Sequence, residues 1–130
     1  MAIVYTIGYG GRKIPDFINL LKIHNIKILV DVRRFPNSKN PDFKKENLEV
    51  SLPENGIEYI FLGDELGGFR KDGFEKHMDT IKFMDGFKSL LDLIEKETAV
   101  IMCMEKKTEH CHRKFISHFL EDINIEVIHI

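Results

Sequence analysis

Five short runs along the chain are dense in apolar residues, and each is bounded by polar or turn-forming positions. They are Ile3 to Ile7, Ile26 to Val32, Ile57 to Leu62, Thr98 to Cys103 and Ile125 to Ile128. β-Branched and aromatic residues dominate them. Most lack a strict alternation, the pattern of strands covered on both faces. Between them the apolar period changes to that of a helix. Ile14, Phe17, Ile18 and Leu21 share one face, Pro15 suits a first turn and Asn25 a stop. A weaker helix is expected over about 41–51, with Pro53 opposing its continuation. A short helix near 74–79 precedes a longer one striped by Met84, Phe87, Leu91 and Ile94, with Thr80 as its cap. Phe115, Ile116, Phe119, Leu120 and Ile123 mark the last helix.

Strand and helix therefore alternate from end to end. That order predicts the α/β class: one domain over residues 1–130, a mainly parallel five-stranded sheet flanked by helices in Rossmann-like layers. Two stretches, 33–40 and 63–73, read as irregular, and loops of that length in a compact domain often carry function.

An open parallel sheet binds ligands outside the carboxyl ends of its strands. The loops expected there hold Gly8, Gly10, Gly11 and Arg12; Arg33 and Arg34; Glu65, Gly67, Gly68 and Arg70; and Glu105, Cys111, His112 and Arg113. All five arginines of the chain fall in or just after these loops, while the fourteen lysines are spread widely. A guanidinium is a rigid fork of donors suited to phosphate or carboxylate. Arg12, Arg33, Arg34, Arg70 and Arg113 are thus candidate anion ligands. Gly8, Gly10 and Gly11 could bring backbone amides to the same anion, or simply form a tight turn. They do not make the dinucleotide fingerprint.

Asp31 lies in an apolar strand two residues before Arg33, and alternation puts both on one side. A buried carboxylate needs a partner. The pair reads either as a structural ion pair or as a catalytic carboxylate beside a guanidinium. Cys111, near the start of the last helix and beside His112 and Arg113, has surroundings that favour a thiolate. It is a candidate nucleophile, with His112 as base and Glu105 as an alternative general base. Cys103 reads as a core residue, and zinc binding by Cys103, Glu105, Cys111 and His112 lacks a standard spacing. A phosphatase-like or rhodanese-like loop fails because Glu109, not arginine, stands six residues after Cys103.

The net charge of −2 argues against a strongly basic nucleic-acid binder. Two cysteines make no disulfide framework, and no apolar stretch approaches a membrane span. A reducing cytoplasm is the expected compartment, with no cofactor implied and the oligomeric state open.

Thr6 to Arg12, Leu29 to Pro36, Glu65 to Gly68, Cys103 to Glu105, Cys111 to Arg113 and the closing Val127 to Ile130 together resemble the family catalogued as domain of unknown function 488. The resemblance implies a compact α/β domain with a shared polar site, and no established reaction. Members commonly carry a histidine where this chain has Tyr9. The residues support two expectations. One is an enzyme on a phosphorylated or nucleotide-like substrate, using Cys111 or Glu105. The other is a nucleic-acid-binding or regulatory module in which Tyr9, Phe35 and Phe69 stack bases beside the arginines. A metal or redox site using both cysteines is a further alternative.

Overall fold

A computed structural model describes residues 2–68, 70–71, 73–105 and 113–130, the side chain of residue 113 excepted. In chain order the elements are β1 (Ile3–Gly8), α1 (Ile14–Ile23), β2 (Ile28–Asp31), a 3-10 turn (Pro41–Phe43), α2 (Lys45–Glu54), β3 (Glu58–Phe61), α3 (Gly63–Leu66), α4 (Phe74–His77), α5 (Ile81–Lys96), β4 (Ala99–Cys103), α6 (Arg113–Asp122) and β5 (Glu126–His129). The strands form one five-stranded sheet in the order β3-β2-β4-β1-β5. Every neighbouring pair is parallel. The α/β class and the layering expected from the alternation of elements are therefore present.

Side chains alternate across the sheet, and each face has its own core. Leu29, Val100 and Met102 meet Phe17 and Leu21 of α1 and Leu48 and Leu52 of α2 on one face. Val30, Val32 and Ile101 meet Phe83, Phe87 and Leu90 of α5 and Ile116 and Leu120 of α6 on the other. The chain leaving β2 thus crosses to the α1/α2 face, and the chain leaving its neighbour β3 crosses to the α5/α6 face. Such a reversal between adjacent strands opens a crevice at their carboxyl ends.

Local structure departs from the sequence expectation in five places. Pro53 does not end the second helix, which runs to Glu54. Proline removes one hydrogen bond and strains the turn before it, but this falls in the last turn, while Leu48 and Leu52 are fully buried. The segment before Lys45 is a separate 3-10 turn, capped by the Asn40 side chain, which accepts from the Asp42 amide at 3.1 Å. The buried stripe of α5 is Phe83, Gly86, Phe87, Leu90 and Ile94, and Met84 is 46% exposed. Ile123 likewise faces solvent at 44%. Thr80 does cap α5, accepting from the Phe83 amide at 3.1 Å and donating to the His77 carbonyl at 2.7 Å.

The stretch 63–73, expected to be irregular, contains the helical turn α3. Arg70 stabilises it by donating to the carbonyls of Gly67 at 2.8 Å and Asp64 at 2.6 Å. These are carbonyls that so short a helix leaves without intrahelical donors. No helix of the described residues is long and apolar enough to cross a membrane.

Candidate functional site

Two polar assemblies stand at the carboxyl ends of the strands, on opposite faces of the chain leaving β2. The first is buried. Asp31 is fully inaccessible and Arg33 is 6% exposed. Arg33 donates from Nε to Asp31 Oδ1 at 2.9 Å and from Nη2 to Oδ2 at 2.7 Å, so the expected pair forms, and it is bidentate. The Arg33 amide adds a bond to Oδ1 at 3.0 Å, and Tyr59 donates its hydroxyl to Oδ2 at 2.5 Å. The second guanidinium arm donates to the Phe43 carbonyl at 2.7 Å. Tyr9 lies under the guanidinium, 5.2 Å from ring centroid to Cζ, and stacks on Phe43. Burial works against the charge on Arg33, but the hydrogen bonds and charge of Asp31 prevail and raise its pKa.

Tyr59 is held in its protonated form by burial first and by the Asp31 charge second, and its pKa is raised far above the usual phenol range. The unfolded chain ionises this phenol near pH 10, where the folded chain does not. Tyr59 therefore supports the fold below that pH, and its contribution fades as the solution becomes more alkaline. Tyr59→Phe is expected to destabilise the protein by about 1–2 kcal/mol at neutral pH and to flatten the loss of stability between pH 9.5 and 11 (about one unit around the ordinary phenol value). Denaturant unfolding across that range measures both. A steeper alkaline loss in the variant would contradict the assignment.

The second assembly is an open cleft of about 250 Å³ lined by Arg34, Arg70, Lys71, Gly73, Lys76, His77 and Thr80. Alternation explains its place. Val32 and Arg33 face opposite sides of the sheet, and Arg34 turns back towards the α5/α6 side, where α4 lies. Two arginines, two lysines and a histidine line it, and none of the described lining residues is a carboxylate. Arg70 is oriented by its carbonyl bonds on α3. Its pKa is lowered by burial first and by the like charge of Arg34 second, against the opposing pull of Asp64 and Glu65. His77 is buried, with its ring 5.8 Å from Phe74 and 5.7 Å from Phe83. Its Nε2 meets the Glu65 carbonyl at 2.5 Å. Burial lowers its pKa, and the charges of Arg70, Lys82 and Arg34 lower it further, against the Glu65 carbonyl.

The arginines thus do not form one cluster. Arg34 and Arg70 meet in the cleft. Arg33 is engaged with Asp31 on the other face. Arg12 donates to the carbonyls of Gly8 at 2.8 Å and Ile130 at 3.2 Å. The Arg113 side chain lies outside the described residues, as do Cys111, His112 and Phe69.

The glycine loop forms a turn. Gly11 has φ of +72°, the Arg12 amide donates to the Tyr9 carbonyl, and the Gly10 amide is engaged by the Met104 carbonyl at 2.8 Å. Tyr9 is 5% exposed and packed on Phe43, so it does not offer a stacking face. Phe35 does, at 62% exposure beside Arg34. Cys103 is buried and is not a free thiol. Glu105 is half-buried and contributes nothing to the cleft lining. No group of three metal-capable side chains forms among the described residues.

Sequence reasoning missed His77, Lys71 and Lys76. Lys71 follows α3, and Lys76 and His77 lie on α4, none of them directly after a strand, and no motif announces that they line the cleft.

The architecture is that of an α/β domain whose described residues form a cleft lined by basic side chains beside the chain leaving β2. The profile of the family described as domain of unknown function DUF488 matches residues 13–120, and the chain belongs to that family. The match spans the cleft and, Tyr9 apart, the buried assembly, and it stops short of the Gly8 to Arg12 turn and of β5. Neither curated proteins nor solved structures provide a match.

Proposed function

We propose that this protein binds a phosphate-bearing small molecule in the cleft formed by Arg34, Arg70, Lys71, Lys76 and His77. One observation carries the reading: five basic side chains from three stretches of the chain line a single crevice. Like charges gathered close together are costly to the folded state, and a bound anion relieves that cost. The location adds support, because a crevice between strands whose connections leave in opposite directions is where open α/β sheets hold ligands. Asp31 and Arg33 enter as positioning residues. They fix the chain leaving β2 and so the root of Arg34. Both oxygens of Asp31 are already engaged by Arg33 and Tyr59, and this favours a structural over a catalytic role.

Thermal shift with phosphate, sulfate, nucleotides and short oligonucleotides tests the reading, since ligands of the native state raise its melting temperature. Arg34→Gln is expected to weaken binding at least about tenfold, the loss of one charge-assisted hydrogen bond. No shift with any anion at low salt would reject the proposal.

A second reading is single-stranded nucleic acid. It is favoured by Phe35, whose exposed ring lies under Arg34 at 5.4 Å. Aromatic and guanidinium surfaces of this kind stack bases. Binding that is confined to oligonucleotides and falls steeply with salt would select it.

A further inference from the structure

We infer that the cleft selects a phosphate monoester over a phosphodiester, and that it takes up one proton on binding, held between the phosphate and His77. This rests on the reading that the cleft binds an anion.

The geometry of His77 gives the reason. A carbonyl oxygen only accepts, so the ring nitrogen facing the Glu65 carbonyl, Nε2, carries a hydrogen. Nδ1 is therefore the nitrogen that titrates, and when the ring is neutral it presents a lone pair. Among the described residues no hydrogen bond reaches Nδ1. Phe74 and Phe83 flank the ring, and its one remaining polar atom belongs to a side chain that lines the cleft.

Among the described residues, the charges facing this ring come from each element around it. Arg34 comes from the chain after β2, Arg70 and Lys71 from the loop after α3, Lys76 from α4 itself and Lys82 from α5. The carboxylates nearby, Asp64 and Glu65 of α3, act on Arg70. Burial and the surrounding cations keep the empty cleft's imidazole neutral at physiological pH.

A phosphate oxygen brought against Nδ1 meets that lone pair. Two acceptors repel each other unless a proton sits between them. A monoester can supply or share that proton, because its second ionisation lies near pH 6 and an ordinary histidine titrates near 6.5. The count is the same whether His77 becomes imidazolium beside a dianion or stays neutral and accepts from a monoanion. In each case one proton enters from solvent at a pH where both free partners are deprotonated. A diester has no titrating proton of its own near neutral pH and carries a single negative charge, so it draws a proton to Nδ1 less strongly and neutralises less of the charge lining the cleft. Selection for a terminal phosphate follows, and with it a pH dependence. Affinity for the monoester falls as pH rises, by up to about tenfold per unit for a full proton.

Isothermal titration of the whole protein at about pH 8, above both reference values, decides the matter. The probes are methyl phosphate and dimethyl phosphate, in two buffers that differ in ionisation enthalpy. The expected result is methyl phosphate binding at least tenfold tighter, with a heat that depends on the buffer and corresponds to uptake of close to one proton. His77→Gln keeps a side-chain N–H for the Glu65 carbonyl and cannot titrate. Its heat with methyl phosphate should be independent of buffer, and persistent uptake would overturn the role of His77. Should this variant fail to fold or bind, the wild-type affinity between pH 7 and 9 (a span above the phosphate and histidine values) decides instead, and a flat profile refutes the inference. Equal affinity for the two probes, or heats independent of buffer in the wild type, also overturn it while leaving the anion-binding reading intact. Absence of binding by either probe removes both.

Discussion

Asp31→Ala lowers the free energy of unfolding by about 3–5 kcal/mol, the cost of leaving a buried guanidinium without its partner. For a chain of this size the melting temperature falls on the order of 10–20 °C. Asp31 is wholly inaccessible and accepts from the Arg33 side chain, the Arg33 amide and the Tyr59 hydroxyl. Deleting it leaves four donor groups with nothing to accept from them, in a site too enclosed for water to restore the loss in full. The size of the effect comes from the orphaned charge, so removing the charge too should recover much of it. Asp31→Ala combined with Arg33→Met is therefore expected to be more stable than Asp31→Ala alone. Urea denaturation of the two variants and the wild type measures this. A single variant within about 1 kcal/mol of wild type, the range of an exposed ion pair, would show that the pair does not hold this end of the sheet.

The same pair shows what was legible in the sequence. Asp31 and Arg33, two apart in a strand, had to share a side, and a carboxylate in so apolar a run had to find a partner. The sheet was legible for a similar reason: five apolar runs separated by helical periods leave few topologies open. The cleft was not, because strand alternation divides what the chain sequence groups together. Arg33 and Arg34 are neighbours in sequence and lie on opposite faces of the sheet. One is locked to a carboxylate and the other lines a crevice. Arg12 has the residue type of an anion ligand, yet it holds backbone carbonyls at the carboxyl end of β1 and the chain end. Donor identity alone does not distinguish these uses.

The rotation of α5 illustrates the same limit. Met84 with Leu91 and Phe83 with Leu90 satisfy the helical period equally well around Phe87 and Ile94. The choice is made by Gly86. A Cβ there would stand 2.2 Å from the Cβ of Glu65, so only glycine lets α5 approach α3 on this face. That approach brings Phe83 and Leu90 into the core and turns Met84 to solvent. A single buried glycine in a helix has no signature in the hydrophobic pattern, and His77 depends on the same packing through its bond to the Glu65 carbonyl.

Gly63→Ala is expected to cost about 3 kcal/mol or more, at or above the upper end of overpacking effects, and to abolish anion binding together with the lost stability. A methyl group at this position would lie 1.9 Å from the Arg33 carbonyl oxygen and 2.5 Å from the Phe61 ring. A flexible side chain could retreat from such a contact. The Arg33 backbone cannot, because its amide and its guanidinium are both tied to Asp31 and one guanidinium arm to Phe43. Relief must come from α3 moving away from the chain after β2. Arg70 travels with α3 through its bonds to the Asp64 and Gly67 carbonyls. Gly67 in turn is in close contact with Arg34, where an added Cβ would stand 2.6 Å from the Arg34 amide nitrogen. Separating α3 from this chain therefore separates Arg34 from Arg70 and opens the cleft. Gly56→Ala is the comparison. Its φ of +75° strains a side chain, but nothing lies within 4 Å of the new methyl. It should cost only about 1–2 kcal/mol, the penalty of the left-handed region, and leave binding unchanged. Urea unfolding ranks the two variants, and titration with inorganic phosphate reads the cleft. Gly63→Ala proving no worse than Gly56→Ala would mean that α3 yields at this contact without strain, and that the two arginines are not held together by the fit of glycine against backbone.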